Sequence, residues 1–192
     1  YYDVKPGETM QPINEDITLY RPFAQLNLGT EEADWEAAVK AGVEVAETEI
    51  IVSNVYTAFS AFNDEVVGEP QKVTYKLNAK PSDALYATID GTEQDYVYLA
   101  LNYLLVGDKR NEKNLTDVEF IWKNAAGDKT NNPTTVFHNV PVQRNYRTNI
   151  VGWLLTNAAE FNITIDESFE EPDYNMIAVD GTQAAEDIAE NK

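Results

Sequence analysis

Cysteine is absent from this chain, histidine occurs once, and only 14 of its 192 residues are lysine or arginine. Each shortage closes off some chemistry. Without thiols there are no disulfides, no thiolate nucleophile and no cysteine-ligated zinc. That fits a reducing cytosol and fits an exported bacterial envelope protein equally well. With a single histidine, His138, a serine–histidine–aspartate arrangement has only one candidate base. Thirty-three acidic residues set against the few basic ones give a formal net charge of −19, shared by both halves of the chain. Such a surface repels nucleic acid and anionic lipid, so no nucleic-acid partner is expected. No apolar run approaches the roughly 18 residues of a membrane-spanning helix. The opening residues do not read as a signal peptide, and the first residue is Tyr1. The chain therefore reads as a mature or excised piece of a longer protein.

Alternation of apolar and polar residues is plentiful. Val118, Phe120 and Trp122 alternate with Asp117, Glu119 and Lys123; Phe161, Ile163 and Ile165 with Asn162, Thr164 and Asp166; Val73, Tyr75 and Leu77 with Lys72, Thr74 and Lys76. Each is the period of a half-buried strand. Residues 96–106 are apolar on both parities, which suits a central strand covered on both faces. Residues 49–56 and 17–28 are further strand candidates, and Pro22 favours an edge or a bulge in the second. One helix is expected near 31–41, capped by Thr30, with acids in its first turn, Gly42 as its stop and Trp35, Ala38 and Val39 on one face. A second short helix is read after Thr182. Seven or so short strands point to an all-β, antiparallel β-sandwich. The expected division is a linker or remnant over 1–16, a sandwich domain over 17–172, and an acidic tail or linker over 173–192.

Reactive groupings are sparse. No nucleophile elbow, phosphate loop, zinc-protease helix or dinucleotide fingerprint occurs. His138 lies in TTVFHNVPV, a strand on which it shares parity with Val136 and Val140, and is expected to be hydrogen-bonded and partly buried. The acid pairs Glu31–Glu32 and Glu170–Glu171 read as solvated, not as the held carboxylates of a glycosidase. Asp90, Glu93 and Asp95 in DGTEQD have calcium-type oxygens without the EF-hand spacing, so a hairpin turn is expected there. Asn114 and Asn162 head glycosylation sequons that matter only in a eukaryotic secretory route. The eleven tyrosines read mainly as core, with a sugar-stacking platform as the other possibility. No catalytic, cofactor-binding or metal-binding residue is assigned, and no enzyme is expected.

Three blocks carry a family resemblance: RPFAQLNLGT (21–30), YLALNYLLVGD (98–108) and NVPVQRNYRTNIVGWLLTNAAEFNITIDESFEEPDYN (139–175). In order and spacing the chain resembles the C-terminal domain of fimbrillin-like surface proteins of Bacteroides-type bacteria, relatives of the type V pilins. The resemblance implies a transthyretin-like, Greek-key sandwich without catalysis or cofactor. It implies a parent protein that is lipid-anchored in the outer membrane at the cell surface, acting in adhesion or fimbrial assembly. Partners would then be other surface or fimbrial subunits, or host and glycan ligands. The pilin members polymerise by strand addition, and the partner surface for that would lie largely on a preceding domain. The fragment itself is therefore expected to be monomeric. A carbohydrate-binding module of a glycan-utilisation system is the alternative.

Arg144, Tyr146, Arg147 and Trp153 form the signature of the third block. Periodicity alone also fits a helix joining Tyr146, Ile150, Trp153 and Leu154, but the interior glycine, two asparagines and the resemblance favour a strand. As a strand, the segment puts Arg144 and Arg147 on opposite sides, which spoils a shared two-arginine clamp. In so acidic a chain each is expected to pair with a carboxylate, so the four residues read as a structural signature.

Overall fold

The computed structural model describes residues 20–77, 84–107, 112–125, 134–157 and 160–167. The expected linker over 1–16, the start of the 17–28 strand, most of the NAAGD turn, Glu170–Glu171 and the acidic tail with its helix after Thr182 lie outside the described residues. The elements are β1 (Phe23–Thr30), α1 (Glu32–Lys40), β2 (Val45–Val55), β3 (Ala58–Ser60), β4 (Glu65–Val67), β5 (Gln71–Leu77), β6 (Ala84–Ile89), β7 (Thr92–Leu105), β8 (Asn114–Asn124), β9 (Thr135–Val142), β10 (Tyr146–Gly152) and β11 (Phe161–Glu167). They build the expected all-β sandwich with one short helix. One sheet runs β11-β10-β1-β7-β6, the other β5-β2-β8-β9, and β3 with β4 makes a separate two-stranded sheet. Pairing is antiparallel throughout these sheets except between β1 and β10, which are parallel.

The alternation read from the sequence sorts the faces. Ile50 and Val52 of β2 and Val118, Phe120 and Trp122 of β8 point inward against Ala24, Leu26 and Leu28 of β1 and Ile150 of β10. Burying one such side chain contributes about 1.5–3 kcal/mol, which makes this inter-sheet layer the main source of stability. The double apolar parity of 96–106 has its explanation in two clusters. Leu99, Ala100, Leu104 and Val106 enter the inter-sheet core, while Tyr96 and Tyr98 join Leu85, Ala87 and Val151 on the opposite face. A bulge resets the parity, because Leu28 pairs with Ala100 and Gly29 with Tyr98, leaving Leu99 over. The buried Thr48 hydroxyl donates to the Leu99 carbonyl.

Pro22 does not mark an edge. It stands one residue ahead of β1, which is central in its sheet, so the missing N–H costs no ladder bond. The edges β11 and β6 of this sheet approach each other, so the sheet curls. A Cβ on Gly29 would come within 2.6 Å of Leu85 Cδ2 and 2.9 Å of Tyr96 Cβ, so glycine is what permits the close approach there.

A polar row crosses β1, β10 and β11 on this same face. Gln25 Nε2 donates to Asn27 Oδ1 (3.0 Å), Asn27 Nδ2 to Asn149 Oδ1 (2.9 Å), and Asn149 Nδ2 to Asp166 Oδ2 (2.9 Å). Asn27 and Asn149 are also register partners, and both are fully buried. A one-residue slip would leave these amides unpaired in the interior, so the row fixes the register of the parallel pair. In a double-mutant cycle with Asn27→Ala and Asn149→Ala, each single change is expected to cost about 1–3 kcal/mol, with a coupling of about 1 kcal/mol. Additive urea-unfolding energies would remove the register role.

The helix is held by groups far away in sequence. Thr30 is not its cap; Glu31 takes that position and makes no side-chain cap bond. Asp34, in the first turn and fully buried, accepts from the Thr30 hydroxyl (2.5 Å), from the backbone N–H of Leu155 (2.8 Å) and Thr156 (3.0 Å), and from the Thr156 hydroxyl. Ala38 is buried and Trp35 packs on the core, while Val39, expected on the same face, is 52% exposed.

Candidate binding end of the sandwich

The strands β2 and β5 are antiparallel neighbours, a pair that a two-residue turn can join. Here residues 56–70 intervene and form the β3–β4 hairpin. Its register is Ala58 to Val67, Phe59 to Val66 and Ser60 to Glu65, with Ala61–Asp64 as the connection. Asp64 closes that connection in the left-handed region at φ +58°, a conformation that aspartate tolerates better than bulkier residues. Phe62 at the tip is 79% exposed.

Arg144 fastens this hairpin to the sandwich. It lies in the turn between β9 and β10, where Asn145 adopts φ +67° and donates its N–H to the Phe23 carbonyl at 2.7 Å. From there Nη1 donates to the Asp64 carbonyl (3.0 Å), and Nη2 to Asp64 Oδ1 (2.6 Å). The guanidinium also lies 5.0 Å from the Phe59 ring centre. Its side chain is only 1% exposed while that of Asp64 is 42% exposed, so the contact lies between a surface pair and a fully buried one. Phe23, whose carbonyl Asn145 holds, Val67 of the hairpin and Leu115 opposite Pro141 are exposed at the same end of the sandwich. The Phe23 ring meets Tyr103 edge-on at 6.3 Å.

The signature residues separate along β10. Arg144 precedes the strand, Tyr146 opens it, and Arg147 points to the other side, 3.8 Å from Asp166. Trp153 lies beyond the far end, donating Nε1–H to Glu31 Oε2 at 2.8 Å. Both arginines therefore have a carboxylate and do not converge. Glu31, read as solvated, is half-buried by this contact.

Two further expectations meet the structure differently. Asp90 and Gly91, at φ +50° and +78°, form the two-residue turn between β6 and β7, as the hairpin reading required. His138 is exposed, not partly buried. A bulge at Asn139 (φ +56°) breaks the parity, so His138 points outward with Val136 while Phe137 and Val140 point inward. Its Nδ1 lies 3.3 Å from Asp117 Oδ1. Among the described residues, no group of three or more His, Asp or Glu is placed to hold a metal ion, and no helix is long and apolar enough to cross a membrane.

The DUF6562 family model, described as a family of unknown function, matches residues 2–188. The chain belongs to the DUF6562 family. No curated protein and no solved structure matches it. Among the described residues of this DUF6562 member, the hairpin, its buried arginine and the apolar side chains beside them form the candidate binding end.

Away from that end, the outer face of the β5-β2-β8 strands carries an ion-pair ladder. Lys123 Nζ contacts Glu47 Oε1 (2.5 Å) and Glu49 Oε2 (3.4 Å), Lys76 contacts Glu49 (3.2 Å), and Lys72 pairs with Glu119. The hydrogen bond from Lys123 holds the Glu47 carboxyl below the usual glutamate range, and the same bond raises Lys123. A depressed carboxylate contributes stability above its unfolded pKa and loses it as pH falls through the folded one. A raised lysine contributes below its unfolded pKa and loses it as pH rises through the folded one. The ladder therefore acts across neutral pH. Glu47→Gln is expected to lose less stability than the parent between about pH 5 and about pH 3, measured by urea midpoints; identical slopes would show that Glu47 carries none of the acid response.

Proposed function

We propose that this chain is the C-terminal, non-catalytic domain of a fimbrillin-like cell-surface protein that acts in adhesion or fimbrial assembly, and that the β3–β4 hairpin makes the contact. The observation that carries the reading is Phe62, 79% exposed on a hairpin that a fully buried arginine holds in place. An exposed phenylalanine on a loose loop loses ordering entropy when it binds; one on a fixed hairpin has lost most of it on folding. Long connections that persist in compact domains are where binding residues concentrate. The resemblance of three sequence blocks to fimbrillin-like proteins supports the surface placement, a lipid-anchored parent and a monomeric fragment. Other surface subunits, host proteins or glycans are the corresponding partners.

A second reading, a carbohydrate-binding module, is favoured by the Phe23–Tyr103 pair, which offers aromatic rings at the same end. Binding of the purified chain to a glycan panel and to source-cell envelopes separates the two. Phe62→Ala is expected to weaken envelope binding at least about tenfold with the unfolding midpoint unchanged. Glycan binding that is lost in Phe23→Ala and kept in Phe62→Ala would replace the first reading with the second.

A further inference from the structure

Arg144 heads the fully buried side chains by size, in a chain with 33 acidic residues. Its five N–H donors are only partly used. Asp64 takes Nη1 with its carbonyl and Nη2 with Oδ1, while Nε is buried with no hydrogen-bond partner. A free carboxylate meets arginine best with two parallel bonds, and the Nε–Nη2 edge offers such a pair. Asp64, constrained at φ +58° in its turn, fills one donor of that edge and leaves the other. The incumbent carboxylate is 42% exposed and sits on a hairpin that forms its own sheet, apart from the two large ones. The Phe59 ring, 5.0 Å from the guanidinium carbon, provides an apolar wall beside it.

We propose that Arg144 is the base of a carboxylate-binding site that Asp64 of the same chain keeps closed. When the β3–β4 hairpin lifts, the carboxylate of a ligand takes the Nε–Nη2 edge, and Asp64 moves into water. The ligand class is a planar carboxylate, carried by an acidic sugar or by a polypeptide terminus. This goes beyond the adhesion reading, which uses the closed hairpin, and does not depend on Phe62 contacting a partner.

The test follows the Arg144 Nε–Hε resonance of the full chain during titration with sodium acetate at constant ionic strength. Asp64→Ala and Asp64→Asn remove the internal competitor, and the second keeps the side-chain size should the first fail to fold. Both are expected to bind acetate saturably and at least about tenfold more tightly than the parent, with the binding abolished by Arg144→Lys in the Asp64→Asn background. Parallel titrations with glucuronate and N-acetylglycine identify the source, since an acidic sugar favours the first and a chain terminus the second. Absence of a saturable shift at Arg144 in both Asp64 variants would overturn the proposal, as would acetate binding that survives Arg144→Lys undiminished.

Discussion

Replacing Asp34 by alanine is expected to destabilise the chain by about 3 kcal/mol or more, the largest effect of any single substitution in α1. The carboxylate is fully buried and accepts hydrogen bonds from Thr30, from two successive backbone N–H groups at Leu155 and Thr156, and from the Thr156 hydroxyl. Alanine leaves the Leu155 and Thr156 donors without their acceptor, while the Thr30 hydroxyl keeps the Gly152 carbonyl at 3.0 Å. Each buried donor so orphaned costs about 1–3 kcal/mol. Part of that is recovered where water reaches half-buried Leu155 and exposed Thr156, which keeps the total near the lower end. Asp34→Asn retains one acceptor oxygen and is expected to cost about half as much. Urea unfolding of the three proteins checks the order. A loss below about 1 kcal/mol for Asp34→Ala would mean that the helix is not pinned through this side chain.

Gly152→Ala is expected to be comparably severe, about 3 kcal/mol or more, for a different reason. Gly152 ends β10 at φ +148°, a conformation that L-residues rarely adopt. A Cβ there would collide with the Glu160 carbonyl oxygen and come within 2.7 Å of Phe161 Cα, backbone atoms that no rotamer change can clear. The β10–β11 connection would have to shift, taking with it the Trp153 N–H bond to the Glu160 carbonyl at 2.9 Å. Thermal unfolding checks this, and a midpoint within a degree or two of the parent would show that the connection tolerates a side chain.

These two residues show what a single sequence does and does not display. Val118, Phe120 and Trp122 declared their strand and its inward face, because strand periodicity is a local property. The 96–106 segment announced coverage on both faces, but not the Leu99 bulge that divides its side chains between two clusters. The parity of His138 failed for the same reason: one extra residue at Asn139 inverts every face after it, and nothing in TTVFHNVPV marks the position. Asp34 read as an ordinary acid in a first helical turn, since its four donors come from Thr30 and from a turn some 120 positions away. Pro22 was visible as a constraint, and its location one residue outside β1 was not.

The candidate site was legible in part. RNYR stood out in the sequence. Its two arginines do not converge, as expected, but Arg144 stands in the turn ahead of β10 and takes its direction from that turn, not from strand alternation. The partner of Arg144 did not stand out, because Asp64 is 80 residues earlier on a hairpin whose strands are three residues each, too short for a periodic signal. An insert between two antiparallel strands, with a phenylalanine at its tip and an Asn-Asp pair after it, is the only local hint that AFSAFNDEVV does more than connect.

On the proposed function, the hairpin held by Arg144 is the contact element of a protein displayed at the cell surface. The most direct measurement compares adhesion of intact source cells carrying the parent sequence with that of cells carrying Phe62→Ala, after antibody labelling of unpermeabilised cells has shown equal display. Strong labelling of intact cells is expected in both strains, with at least about a tenfold loss of adhesion in the variant. Labelling that requires permeabilised cells, or adhesion unchanged at equal display, would contradict that proposal.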